Sequence, residues 1–403
     1  MSNTAALGAI EYEAEVAWGE DVTTFATHRI PVLDKIDVSG LKQDRLAPNR
    51  VVQYRNDGTQ WILGEQSGEI KTRLWLHGHG AATSGAVSID AVEQLLSHVF
   101  GNVMTSAASG TTATGGTAAA PLTTASATFT RGGLFRIGAL GDGRCNGQFA
   151  VVQQHVTTTL NTLTALPAAP NNGDIVHSAV NFFPSENPTS GAVSSIRMRV
   201  LTANLQYELH GCYAKGVALS GLGPGELPAI EITWGVSWWR YTTATFPSAV
   251  ASNTYAPAPN AAGSLFVQNF ATSTRATRNV RNVTLDYTLG IAELKGVGGV
   301  NQYQTTVGAR RTPDTIKMTW TEDAAASVDT LFTAGTFQHV LYTLNPTATT
   351  AVGIYLPRAC VTGARPIQMD DGGINRQKVE VTGYTSTDTS SDLTLSAFRM
   401  AFA

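Results

Sequence analysis

The residues able to do chemistry in this chain are few and poorly grouped. His77-Gly78-His79 sets two imidazoles on one face of a strand, half of a metal site, but no third ligand stands at a useful spacing. Asp370-Asp371 is a carboxylate pair of the kind used in acid–base catalysis, yet Gly372-Gly373 directly after it reads as a turn. Asp142, between Gly141 and Gly143, is a turn residue as well. The glycine-rich run Gly221-Leu222-Gly223-Pro224-Gly225 lacks the Lys-Ser/Thr that completes a phosphate loop and opens no helix, so a hairpin turn is expected. Trp238-Trp239 could stack on a sugar, but the alternation ending at Trp234 favours core or subunit contact. No GxSxG elbow, HExxH, Walker loop or dinucleotide fingerprint occurs. No catalytic residue, metal ligand or cofactor is therefore expected.

The elements that hold these residues must come from an unusual composition. The chain has 403 residues, 43% of them hydrophobic, enough for about two or three domains with sizeable cores. Only 14% are charged, against about 25% in an average soluble protein, so much of the surface is expected to be covered by partners. A formal net charge of -3 argues against gripping nucleic acid, which needs a Lys/Arg excess to neutralise phosphate. It leaves room for nucleic acid that slides past. Cys145, Cys212 and Cys360 are scattered with no CxxC, so they are expected to be reduced and buried as small apolar residues. Met1-Ser2-Asn3-Thr4-Ala5 carries no signal-peptide features and no run approaches the ~18 apolar residues of a membrane helix. Synthesis in the cytoplasm, with no membrane partner, is the expectation. Phe398-Arg399-Met400-Ala401-Phe402 faintly suggests an outer-membrane barrel strand, which the missing signal argues against.

Period-two alternation is common. Ile70, Thr72 and Leu74 face opposite to Lys71, Arg73 and Trp75. Ile230, Ile232 and Trp234 oppose Glu231 and Thr233; Val379 and Val381 oppose Glu380 and Thr382. This is the pattern of half-buried antiparallel strands. Segments 11–18, 35–39, 195–201, 206–219, 282–289, 338–344 and 350–356 read likewise. The clearest helix runs from Ser88 to about Phe100, capped by Ser88, stapled by Val87 and Val92, and closed by Gly101. Ser106–Thr124, almost all Ser, Ala, Gly and Thr, reads as a flexible leash. Phe129, Phe135–Gly138, Phe149–Val152, Thr159–Leu160 and Asp174–Val176 read as five short strands of a small barrel spanning about 125–185.

Two distant stretches repeat one order of elements. Ile70–Trp75, the helix from Ser88 and Ile230–Thr233 are answered by Ile316–Trp320, a shorter helix from Ser327 to near Gly335, and Val379–Thr382. Cys212 precedes Glu231 by nineteen residues and Cys360 precedes Glu380 by twenty, which offers a second register for the repeat. A mostly β fold is predicted: two tandem β-sandwich or barrel units, each with a short helix, plus a small inserted β-barrel. The first unit takes residues 1–105 and 190–241, the insertion 106–189, a proline-bearing linker 242–270 and the second unit 271–403.

The two strand–helix–strand units, the phrase Cys212-Tyr213-Ala214-Lys215-Gly216-Val217 leading to Trp234, Ile30-Pro31 to Gly40-Leu41, and Ser67-Gly68-Glu69-Ile70 together resemble the tail tube proteins of long-tailed, siphovirus-like bacteriophages. The resemblance covers most of the chain outside 106–190. It implies tail-tube-like sandwiches whose inner sheets join around a channel, in rings that stack into a tube. Two units per chain imply a homotrimeric ring with pseudo-sixfold symmetry, a homohexamer being the alternative. It also implies a virion location, contact with other tail proteins, and double-stranded DNA passing through the lumen without specific binding. Glu231, Thr233, Glu380 and Thr382, on the non-apolar faces of equivalent strands, are expected to face that lumen. The rival expectations are another virion component, such as a tail terminator or capsid decoration, and a carbohydrate-binding β-sandwich adhesin using Trp238 and Trp239.

Overall fold

The computed structural model describes residues 9–16, 18–19, 28–33, 36–46, 62–76, 91–107, 111–116, 122–124, 128–138, 147–166, 168–184, 193–201, 205–243, 263–270, 275–295, 305–310, 314–323, 333–345, 351–364, 368–369, 375–388 and 390–403. Antiparallel strands dominate; two short helices are described whole, α1 (Ala91–Phe100) and α2 (Asp392–Leu395), and residues 333–334 are helical as well. The N-terminal half contributes β1 (Ala9–Ala14), β2 (His28–Pro31), β3 (Lys42–Leu46), β4 (Ile62–Trp75) and β5 (Gly101–Thr105). After an insertion it continues with β12 (Val180–Pro184), β13 (Ile196–Leu201), β14 (Leu205–Ser220), β15 (Ala229–Val236) and β16 (Trp238–Thr243). The C-terminal half contributes β17 (Ser264–Asn269), β18 (Arg275–Arg278), β19 (Val280–Thr288), β20 (Ile291–Lys295), β21 (Thr305–Arg310) and β22 (Thr315–Asp323). It ends with β23 (Gln338–Leu344), β24 (Val352–Ala364), β25 (Gln368–Met369), β26 (Asn375–Tyr384) and β27 (Arg399–Phe402).

The same pairing plan occurs in both halves. In the first, β2 pairs β1, β1 pairs β13, and β13 pairs the front of β14, while the back of β14 pairs β15 and β15 pairs β4. In the second, β18 pairs β17, β17 pairs β23, and β23 pairs the front of β24, while the back of β24 pairs β26 and β26 pairs β22. The long strands β14 and β24 thus belong to two layers, an outer sheet at their start and an inner sheet at their end. Alternation fixes which side of the inner sheet meets the core. Ile70, Leu74, Ile230, Ile232, Trp234, Ile316, Met318, Val379 and Val381 are all buried. Outer-sheet residues Ile10, Tyr12, Met198, Val200, Val340, Tyr342, Ile354 and Met400 pack into the same core, which runs through both halves.

The inner layer does not stop between the halves. Gly216, Val217, Ala218 and Leu219 of β14 pair with Thr288, Tyr287, Asp286 and Leu285 of β19, and the Leu289 N–H donates to the Lys215 carbonyl at 2.9 Å. The order β4–β15–β14–β19–β22–β26–β24 is therefore one continuous sheet.

Several expectations are corrected. The low-complexity stretch is no simple leash: Thr111–Gly116 (β6) and Leu122–Thr124 (β7) are strands. With β8 (Leu134–Gly138), β9 (Gln148–Val156), β10 (Thr159–Thr162) and β11 (Ile175–His177) they close a barrel in the order β10-β7-β6-β11-β8-β9. Small residues suffice because Ala113 and Leu122 fill the barrel interior beside Phe135, Ile137, Val152 and Val176. Phe129 makes only an isolated bridge to Ala107. The barrel rests on the outer sheet of the C-terminal half, where Phe149 and Val151 meet Phe266, Leu341 and Tyr355. Within the segment read as linker, Ser264–Asn269 is β17, hydrogen-bonded between β18 and β23. Residues 36–39 of the segment expected as a strand run without regular pairing. Cys212 and Cys360 are not equivalent. Cys212 is buried opposite Ile196, whereas Cys360 is half-buried opposite Thr382, on the other side of the inner sheet. Phe398, Met400 and Phe402 of the C-terminal strand are buried in the shared core. The start of the first helix before Ala91, and residues 327–332 of the second, lie outside the described residues.

Candidate functional site

The side of the continuous sheet turned away from the core carries the predicted residues. One ladder row crosses it strand by strand: Arg73, Glu231, Ala218, Asp286, Lys317, Thr382 and Cys360. Thr233 lies opposite Lys71, and Thr382 lies opposite Lys317. Glu231 and Glu380 sit two residues before those threonines and reach diagonally to the same lysines. Lys71 Nζ is 3.0 Å from Glu231 Oε1, and Lys317 Nζ is 3.6 Å from Glu380 Oε1. The four predicted residues are thus brought onto one face in two matched groups, each completed by a lysine. The sequence reading missed Lys71 and Lys317. Their signal was the alternation Ile70-Lys71-Thr72 and Ile316-Lys317-Met318, which puts a cation on the polar side of both copies.

Hydrogen bonds and further pairs finish the face. Lys215 Nζ is 3.7 Å from Glu69 Oε2. The hydroxyls of Thr284 and Thr319 are 2.7 Å apart, and those of Thr362 and Thr382 are 3.0 Å apart. The hydrogen bond to Glu231 raises the Lys71 pKa above its ordinary value. These exposed pairs stabilise little, about 0–1 kcal/mol each. What they do is cancel acid against base at short range at these three pairs.

Among the described residues one edge of this sheet is open and the other is covered in part. From Cys360 onward β24 pairs β26 on one flank, and no described strand lies on the other. At the far end β4 pairs β3 through residues 62–67 and β15 through residues 68–75; beside the latter stretch the outer flank receives, among the described residues, single backbone bonds, Leu33 N–H to the Arg73 carbonyl at 2.9 Å and Glu69 N–H to the Gly40 carbonyl at 3.4 Å. Each long strand has a bulge ending at a glycine, between Ala214 and Gly216 in β14 and between Val361 and Gly363 in β24. In β14 the joint to β19 begins there; in β24 the same position is bare.

The other candidates resolve differently. Gly221–Gly225 forms the β14–β15 hairpin loop. Gly221 has φ 66°, and a Cβ there would stand 2.1 Å from the Leu227 carbonyl oxygen. Trp238 stacks on His210 with ring centroids 3.6 Å apart, and its indole N–H donates to the Gly19 carbonyl. Trp239 donates to the Lys42 carbonyl. Both indoles are therefore tied within the chain. His77, His79, Asp142, Cys145, Asp370 and Asp371 lie outside the described residues. Among the described residues no group of three or more His, Cys, Asp or Glu could hold a metal ion, and no helix is long and apolar enough to cross a membrane.

The fold and this face define a mostly β protein whose largest sheet runs unbroken through both halves of the chain and, among the described residues, leaves one flank of β24 unpaired beyond Cys360. No family model matches the chain, and no curated protein matches its sequence.

Proposed function

We propose that this chain is a structural, non-catalytic virion protein: a duplicated tail-tube-like module that assembles into stacked rings forming a phage tail tube. The observation that carries the reading is the β14–β19 joint. It is a junction between two copies of one pairing plan, made within a single chain. In the C-terminal half β24 holds the position of β14. In the N-terminal half Leu33 and Gly40, bonded to β4, mark the position that β19 holds. The bare flank of β24 on one chain and the flank marked by Leu33 and residues 36–40 on the next are thus the two sides of the same junction. An unpaired row of backbone N–H and C=O groups is satisfied when a neighbour adds its own strand.

Repeating that step around an axis closes a ring in which inner sheets form a continuous wall. Three chains supply six modules, and a homotrimer with pseudo-sixfold symmetry follows from the resemblance; a ring of six chains is the alternative. Glu231, Thr233, Glu380 and Thr382 then face the lumen. Acids neutralised by Lys71 and Lys317, with threonines between them, suit a conduit for double-stranded DNA, because each unpaired cation would hold a phosphate and slow passage. Other tail proteins would cap and extend the tube, which is made in the host cytoplasm and resides in the virion. Negative-stain imaging of the purified chain tests this. Hollow three-lobed annuli or tubes are expected; solitary particles at all concentrations would reject the reading.

A further inference from the structure

A cleft of about 280 Å³ lies where the barrel meets the outer sheet of the C-terminal half, at the end of β24 that precedes Cys360. Its polar wall comes from three arginines that are distant in sequence: Arg131, Arg358 and Arg399. Arg399 is 2% exposed. Its guanidinium donates to the carbonyls of Gly132 at 2.7 Å and Thr394 at 2.9 Å and to the Ser396 hydroxyl at 3.2 Å. Among the described residues no carboxylate is in ion-pair contact with it, although the Asp388 charge acts on it from a distance. Burial pulls its pKa down to about 10, which still leaves it cationic at neutral pH. Arg358 lies flat over the Phe337 ring at 3.9 Å and has no acidic partner among the described residues either. Arg131 is held at the rim by Asp388, 2.7 Å away, and Asp388 is the one acid in the lining. His339 lines the cleft as a neutral ring, since burial pushes its pKa down to about 4.

Three cations thus share one carboxylate around a partly enclosed space, and buried positive charge in excess of its counter-ions is a costly arrangement that an anion relieves. Gln153, Ser386, Thr387 and Thr394 add neutral polar groups to the wall, and Leu163, Phe270 and Pro357 supply apolar surface. At ~30 Å³ per water-sized group the cleft holds about nine such groups. We propose that this cleft binds a small organic carboxylate, its apolar body against Phe270 and Leu163 and its oxygens accepting from Arg358 and Arg399. Planar guanidinium forks match carboxylate geometry and resist losing their charge, which is why arginine suits the task. The inference does not rest on the tube reading. The carboxylate could be a free small molecule or an acidic side chain from a second copy of the chain; both present the same group.

The test is titration calorimetry of the full-length chain with benzoate, against benzamide as a neutral isostere. Benzoate is expected to bind at least tenfold more tightly. Arg358→Gln, at a half-buried position outside the core, is expected to weaken benzoate binding at least tenfold while circular dichroism stays unchanged. Binding to both dispersed and associated chains would identify a free ligand, and binding to dispersed chains alone would identify a side chain from a second copy. Equal affinity for the two probes, no benzoate binding at millimolar concentration, or an unaffected Arg358→Gln variant would overturn the proposal.

Discussion

The two halves bend their long strands by different means. In β14 the change of layer falls at Gly211, whose φ of +59° is left-handed and whose added Cβ would lie 2.5 Å from Ser237 Oγ and 2.8 Å from the Trp18 indole nitrogen. In β24 it falls at Pro357, in the register shift between Leu356, opposite Val340, and Ala359, opposite Gln338. A residue without an N–H costs no ladder bond there. The halves therefore share a pairing plan rather than matched residues at their turning points. They differ again at the end of the long strand, which is covered by β19 in one half and bare in the other. A single chain so displays both the made and the unmade form of one junction.

The largest expected effect comes from removing the glycine bend. Gly211→Ala forces a side chain into left-handed backbone and into Ser237, and is expected to cost about 3 kcal/mol in urea unfolding. An effect no larger than that of Pro357→Ala would show that the two bends are not mechanistically distinct. Gly216→Val attacks the made junction. A Cβ there stands 3.2 Å from the Tyr287 carbonyl oxygen, which belongs to a paired strand, so a loss of about 1–3 kcal/mol is expected. Thr362→Pro attacks the unmade one. Thr362 is the extra residue of the β24 bulge, so the isolated chain should lose under about 1 kcal/mol while rings disappear from electron micrographs. Rings that survive this change would mean that chains join elsewhere.

The smallest effects test the polar face. Lys71→Ala and Lys317→Ala should each cost about 0.5 kcal/mol, equally within error, as thermal melts in low and high salt would show. The pH dependence has a definite sign. Glu231 raises the Lys71 pKa, so the pair's contribution is full below the lysine's ordinary value and fades as pH climbs through the raised one. A melt at pH 9 and another above pH 11 should differ less in Lys71→Ala than in the unaltered chain.

What the sequence made legible was what alternation encodes. Strong β-branched and charged alternation marked β4, β15, β22 and β26, and with them the face holding Glu231, Thr233, Glu380 and Thr382. Composition misled where strands are built from small residues: β6 and β7 look like linker because threonine, alanine and glycine carry little periodic contrast. Residue matching misled at Cys212 and Cys360, since the bulges and bends that set register leave no mark in cysteine spacing. The arginine cleft was out of reach altogether. Arg131, Arg358 and Arg399 come from three separate elements, and only docking of the barrel on the outer sheet brings them together.

Hydrogen–deuterium exchange at two protein concentrations tests the junction most directly. Amides of Gly216–Leu219 should be protected in dilute and concentrated samples alike, because their partner β19 is in the same chain. Amides of Cys360–Gly363 and of residues 36–40 should exchange quickly when dilute and slow at least tenfold once chains associate. Exchange in those two segments that ignores concentration, in a sample that does associate, would contradict the account.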